Sequence, residues 1–368
     1  MNILIIANID RNIGDDLMVK IVANSLKPNT VYLLKAEEDY TIPFRNLENI
    51  KFISENDYTS LKAIKKICSK IDLIILLGGS LFKIPTKRMI LHYLKIFLVF
   101  LIFRLCGIKL ALINCNVGPI CCKLGLLTVG LIVKVFNIAT VRDSESYRLM
   151  KKYKKKNLFF FPDIVLTYEH IKNTKPNKDN YSCLGISIYN PALITKKDEN
   201  DYINFFAKII KANLELDAFR VVKIFAFSTG SEGDNLAARA VFENMKNKNR
   251  VELVEYSGDI DSFLDEISKC DLFIPIRFHS LILALLSGIP CVPVSYDIKV
   301  SNFLRDINFK NYFKFEELKE INTSYFIEKL NEPQNFLTSN MLGEIRNKAR
   351  GHLLVLQSFL NSLERTKS

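Results

Sequence analysis

The sequence predicts an α/β protein of two Rossmann-like lobes facing a cleft, with a C-terminal helix packing back across the lobes. Three observations predict it. The chain has 368 residues, beyond the roughly 250 to 300 at which single cores stop growing. Short apolar runs alternate with longer amphipathic ones, the pattern of parallel βαβ units. A polar, proline-bearing stretch at 168–181 splits that alternation into two series.

The first series, in a lobe spanning 1–170, has strands expected at 3–7, 31–35, 73–77, 110–113 and 139–141, separated by helical segments. The second, spanning 181–335, has strands expected at 183–188, 221–227, 251–256, 272–276 and 291–295, with helices near 201–217, 235–247, 261–269 and 279–287. Residues 341–363 carry helical apolar spacing, so 336–368 is expected to be a closing helix that returns to the first lobe. Two such lobes with a returning helix make the architecture called GT-B in glycosyltransferases, where ligands lie at the carboxyl ends of the strands.

Apolar residues make up 49% of the chain and charged ones 24%, a balance that supports a large core and excludes a disordered chain. Lys plus Arg exceed Asp plus Glu by 51 to 39, a net charge of +12, which favours anionic small molecules, phosphorylated lipid carriers or acidic membrane surfaces. Nucleic acid would suit the charge too, but no recognised nucleic-acid motif accompanies it. The run Lys151, Lys152, Lys154, Lys155 and Lys156 reads as a solvated face. The eight cysteines have no CxxC spacing and most fall in apolar runs, so they read as buried, reduced thiols with neither a metal site nor a disulfide framework.

The opening residues MNILIIANIDRNIGDD read as a first strand rather than a signal peptide, and the expected compartment is the cytoplasm. Residues 96–103, the longest apolar run, are too few to cross a bilayer, which takes about 20. A buried core helix is the plainer expectation there. The other is peripheral contact with the inner face of the cytoplasmic membrane, with Lys87, Arg88, Lys95 and Arg104 at lipid phosphates.

Candidate chemistry gathers where strands end. After the first strand comes Gly14-Asp15-Asp16, then a helix expected from about Leu17. Gly14 allows a tight turn and the helix N-terminus favours an anion, with Asp15 or Asp16 as a ligand contact or an ordinary cap. Gly78-Gly79-Ser80 follows the strand at 73–77, where backbone amides and the Ser80 hydroxyl could meet a phosphate or sugar, and a plain turn is the simpler reading. Arg142 stands directly before a helix, able to clamp a carboxylate or phosphate, or to pair with Asp143 or Glu145 at the surface. Neither a dinucleotide nor an ATP fingerprint is present.

The sharpest element is Ile276-Arg277-Phe278-His279-Ser280, entering a markedly apolar helix. A charged Arg and a His between a buried strand and a buried helix demand polar partners, and a ligand phosphate is one. Asp297 could orient His279 and Lys299 could hold donor charge, or the two could form an ordinary pair at a helix start. His92, His170 and His352 have no evident constellation and are assigned no chemistry.

These motifs together resemble the polysaccharide pyruvyl transferase family: NIGDD at 12–16, LLGGSLF at 76–82, NVGPI at 116–120, TVRDSES at 140–146, PD at 162–163, and IRFHSLILALLSGIP with SYDIK between 276 and 299. The resemblance implies a GT-B-like fold, phosphoenolpyruvate as donor, and transfer of its enolpyruvyl group to a sugar hydroxyl of a cell-surface polysaccharide or its lipid-linked precursor, giving a pyruvate ketal. It points to Arg277 and His279 most strongly and then to Arg142. It departs at Leu77, where the family often has a further glycine.

The chemistry suits these residue types. His279 would protonate the methylene carbon as a general acid, while Arg277, Arg142 and Lys299 hold the donor's carboxylate and phosphate, with Ser280, Gly14, Asp15 and the Gly78 to Ser80 turn around it. No metal or redox cofactor is required. The competing expectations are a GT-B glycosyltransferase that uses a nucleotide-sugar, and a non-catalytic scaffold of a polysaccharide synthesis complex.

Overall fold

The structure is a computed structural model that describes residues 1–34, 40–53, 58–154, 156–169, 182–193, 199–216, 219–245, 248–330 and 339–365. Residues 170–181 of the expected linker, with His170, lie outside these, as does Lys155. The chain divides into two compact units. The first comprises residues 1–9, 15–167 and 346–368, and the second residues 10–14 and 168–345.

The first unit is built on one parallel sheet. Its strands are β1 (Asn2–Ile6), β2 (Thr30–Leu34), β3 (Ile50–Ile53), β4 (Leu73–Leu77), then, past the short β5 (Phe82–Ile84), β6 (Lys109–Cys115), and past the short β7 (Val117–Ile120), β8 (Ile138–Val141) and β9 (Leu158–Phe160). Seven of them run in the order β3-β2-β1-β4-β6-β8-β9, while β5 and β7 pair separately. The order reverses between β1 and β4, and at such a reversal the strand ends diverge and leave a crevice for ligands. β4 is buried along its whole length, as a parallel strand covered on both faces must be.

The connecting helices are α1 (Ile13–Ser25), α2 (Leu61–Lys70), α3 (Met89–Leu105), α4 (Lys123–Val135) and α5 (Ser144–Met150). Ser60 and Asp143 cap α2 and α5 through their side chains, satisfying N–H groups that have no partner within the helix. Phe100, Phe103 and Phe136 anchor the core beneath α3 and α4.

The second unit repeats the plan with β10 (Cys183–Ile188), β11 (Val221–Ala226), β12 (Val251–Glu255) and β13 (Leu272–Ile274), in the order β12-β11-β10-β13, beside a small pair β14 (Val294–Ser295) and β15 (Phe313–Lys314). Its helices are α6 (Glu199–Glu215), α7 (Asp234–Glu243), α8 (Ile260–Ser268), α9 (Phe278–Leu286), α10 (Ile298–Asp306), α11 (Thr323–Leu330) and the first part of α12 (Ser339–Ala349), whose residues from Arg346 on belong to the first unit. A last helix, α13 (Gly351–Arg365), belongs to the first unit. Here the order reverses between β10 and β13, which again marks a ligand crevice.

The structure departs from the sequence reading in several places. α1 starts at Ile13, four residues before Leu17, because the side chain of Asn12 accepts the Gly14 N–H and opens the helix there. Asp15 and Asp16 therefore lie inside the first turn, where the helix dipole favours acids, rather than capping it. The closing segment is two helices, α12 and α13, which meet at Gly351; a Cβ there would overlap the Phe161 ring. The run at 96–103 is only half a core helix, since α3 buries one face and leaves the other bare. The cysteines are free, but Cys106 and Cys121 are exposed and Cys68 and Cys122 half-buried. No described helix is long and apolar enough to cross a membrane.

Candidate functional site

In the second unit the chemistry gathers at the reversal of strand order. β13 ends at Ile274 and the chain turns through Arg277, in extended conformation, into α9. Arg277 is 6% exposed, and its guanidinium is forked onto one carboxylate: Nε donates to Asp234 Oδ2 at 2.7 Å and Nη2 to Asp234 Oδ1 at 2.6 Å. Nη1 donates to Glu232 Oε2 at 2.6 Å. Asp234 also accepts the N–H groups of Asn190 and Ser228. Burial works against the charge of Arg277, but Asp234, Tyr296 and Glu232 outweigh it and its pKa rises well above the usual value.

A fully buried carboxylate and a buried guanidinium are each costly alone and tolerable together. The Arg277 plane also lies 4.4 Å over the Tyr189 ring. Tyr189 in turn packs on Tyr296 with ring centroids 4.0 Å apart, and Lys299 Nζ sits 5.2 Å from the Tyr296 ring. Two cations singled out in the sequence thus bracket a pair of stacked tyrosines, each held by the ring's negative face.

His279 stands one turn-step along α9, half-buried and edge-on to Phe278. Directly against it lies Gly14. A Cβ on Gly14 would overlap the His279 imidazole, so the glycine is needed for the approach of the ring. Gly14 reaches the second unit because residues 10–14 are stitched to it: Asp10 accepts the Ser231 N–H and hydroxyl, Thr229 N–H donates to Arg11 O, and Ile13 N–H donates to Phe227 O. Asn12 Nδ2 donates to Glu232, which ties this segment to the Arg277 cluster.

The other residues of the motif support backbone. The Ser280 hydroxyl is buried and donates to Arg277 O at 2.7 Å, bracing the first turn of α9. Asp297 accepts the Lys299 N–H and caps α10, the ordinary helix-start role.

In the first unit the reversal of strand order brings Asp15 to the turn after β4. Gly78 and Gly79 both have positive φ, +97° and +29°, a conformation that side chains rarely adopt. The Asp15 carboxylate lies 3.5 Å from where a Gly79 Cβ would stand, and Ser80 is half-exposed beside it.

Arg142, at the end of β8, is 4% exposed. Asp143 caps α5 and Glu145 pairs with Arg148. Arg142 Nη1 donates to Asp163 Oδ2 at 2.8 Å, in a pair buried on both sides. Asn114 Nδ2 shares that carboxylate, and Asn114 Oδ1 accepts the Ile164 N–H. His352, given no chemistry from sequence, has a constellation after all: its ring nitrogens meet Thr140 Oγ1 at 2.7 Å and Pro162 O at 3.0 Å. Burial lowers its pKa to about 4, with Asp163 pulling the other way, so it is neutral near pH 7.

Sequence reasoning missed Glu232, Asp234, Tyr189 and the role of Asn12. The available signal was the stretch Ser228-Thr229-Gly230-Ser231-Glu232-Gly233-Asp234, a glycine-rich, acidic turn at a strand end.

Two Rossmann-like units with this strand order define the GT-B class of fold, and solved structures agree. A UDP-GlcNAc 2-epimerase from Methanocaldococcus jannaschii superposes with a TM-score of 0.64 at 9% identity, over 97% of this chain and 100% of that one. HepE of Anabaena, solved with UDP-glucose, gives 0.57 at 13% over 99% and 100%. A glycosyltransferase from Rickettsia africae gives 0.56 at 12% over 99% and 98%. Such identities carry the fold alone. Within that class, the chain belongs to the polysaccharide pyruvyl transferase family, whose sequence model matches residues 12–298. No curated protein matches it significantly.

Proposed function

We propose that the protein transfers the enolpyruvyl group of phosphoenolpyruvate to a sugar hydroxyl of a cell-surface polysaccharide or its lipid-linked precursor, closing a pyruvate ketal. The observation that carries this reading is the seating of His279 against Gly14, two residues past the anchored Arg277 at a strand-order reversal. Family membership supports the donor and acceptor classes.

The protonated imidazole of His279 gives its proton to the methylene carbon of the donor, leaving a methyl group and a cationic carbon stabilised by its oxygen. A sugar hydroxyl attacks that carbon and loses its proton. The C–O bond to phosphate then breaks, inorganic phosphate leaves, and a second hydroxyl of the same sugar attacks the cationic carbon so formed and loses its proton, closing the ketal. No electrons change hands, so no redox cofactor is needed. The first turn of α9 and Lys299 supply positive field for the donor's carboxylate and phosphate. Arg277 keeps that field in place while its own fork stays on Asp234. In the first unit, the turn at Gly78 and Gly79, with Ser80 and Asp15, is assigned to phosphate or sugar contact, and Arg142 to holding the strand end through Asp163. The protein works in the cytoplasm, at the inner face of the membrane where a lipid-linked acceptor would lie.

A nucleotide-sugar glycosyltransferase is the second reading, favoured by the Anabaena structure solved with UDP-glucose. Thermal unfolding with each ligand separates the two. Phosphoenolpyruvate at saturation raises Tm by several degrees, since a ligand at about 100 times its Kd adds about 2.7 kcal/mol, and UDP-sugars do not. Protection by UDP-sugars alone would replace pyruvyl transfer with glycosyl transfer.

A further inference from the structure

On α3, Leu91, Leu94, Leu98, Ile102 and Leu105 fall on one stripe of the helix and are 36 to 78% exposed. The opposite face, with Ile96, Phe100 and Phe103, is in the core. α4 packs beside α3 and adds Leu124 at 58% and Leu127 at 44% exposure. Large apolar side chains gathered on one surface are uncommon on a soluble monomer and mark an interaction site.

Charge identifies the partner. Between residues 73 and 142 the chain has no Asp or Glu and nine Lys or Arg, three quarters of the net +12 in under a fifth of the length. The exposed charges next to the apolar stripe are all basic: Lys95 and Arg104 on α3, Lys123 and Lys134 on α4, and Lys87 and Arg88 just before α3. A second copy docked by two-fold symmetry would set these basic rims against each other. An anionic lipid surface satisfies both features at once, taking the leucines at the acyl boundary and the cations among the phosphates. The 17 residues of α3 reach about 25 Å at 1.5 Å each, short of a bilayer core, so the helix lies in the plane of the interface.

We propose that the bare face of α3 and α4 docks the protein onto an anionic lipid bilayer. None of these residues is among those assigned to transfer, and the test uses neither donor nor acceptor, so this inference and the proposed reaction fail or hold separately.

The test is co-sedimentation of the full chain with vesicles of phosphatidylcholine mixed with phosphatidylglycerol, and with phosphatidylcholine alone. Wild type binds the mixed vesicles and binds the neutral ones far less. Leu98→Glu with Ile102→Glu, and separately Lys95→Glu with Lys123→Glu, each lower binding by about tenfold or more. Leu354→Glu, an exposed leucine on α13, leaves it unchanged. Failure to bind mixed vesicles, equal binding to neutral ones, or variants that bind like wild type would overturn the proposal. So would self-association in light scattering that Leu98→Glu abolishes, which would give the face to a second copy.

Discussion

Arg142 and Arg277 illustrate how a charged side chain is kept inside a protein. Each is almost wholly buried, each meets a carboxylate that is itself 0% exposed, and each stands at the carboxyl end of a strand. The pairing decides what substitution does. Asp163→Ala removes the carboxylate to which the buried Arg142 donates, a change that typically costs about 3 to 5 kcal/mol. Replacing both together, Arg142→Met with Asp163→Leu, recovers most of that loss, because the cost lies in the uncompensated charge. Urea unfolding of the three proteins reads this directly. A single variant within about 1 kcal/mol of wild type would mean that the pair is not structural. His279 differs in kind. It is half-buried, its ring filling the place a Gly14 side chain would take.

At the scale of elements, α13 is fastened to the first sheet through His352, which is fully buried between Thr140 and Pro162. Its folded pKa, lowered by burial to about 4, lies below the ordinary value of 6.5. The folded state therefore binds the proton less well than the unfolded one. This attachment keeps its full strength above pH 6.5 and weakens as pH falls towards 4, by roughly 3 kcal/mol at the limit. Asp163 and Arg142, its charged neighbours, push in opposite directions. Thermal unfolding between pH 7.5 and 4.5 should show a steep acid loss in wild type and a flatter one in His352→Gln. Parallel curves would place the acid sensitivity elsewhere.

The same scale shows what a sequence encodes. α9 and its approach were legible because Arg and His between two apolar runs violate the pattern around them. The start of α1 was not, since Asn12, not Asp15 or Asp16, opens the helix. The five leucine and isoleucine positions exposed on α3 are indistinguishable by type from those it buries, and only the packing of α4 and β6 decides which face is covered.

For the whole molecule, alternating apolar runs announced two parallel α/β units, and the structure has them. What the sequence could not express is partnership across long separations. Arg277 finds Asp234 forty-three residues earlier, and Gly14 finds His279 from the far end of the chain. Residues 10–14, read as part of the first lobe, are counted with the second because their backbone pairs with 227–231. Strand order, fixed only on folding, creates both meetings.

Pyruvyl transfer through His279 is tested most directly by phosphate release from phosphoenolpyruvate, given free and lipid-linked glycans, for wild type, His279→Ala and Gly14→Ala. Wild type should release phosphate only with an acceptor. Both variants should fall by about 100-fold or more, the usual contribution of a positioned acid, His279→Ala by removing the acid and Gly14→Ala by displacing it. Acceptor-dependent release that survives in both variants would contradict the assignment of His279, and absence of release with every acceptor alongside transfer from a nucleotide-sugar would contradict the reaction itself.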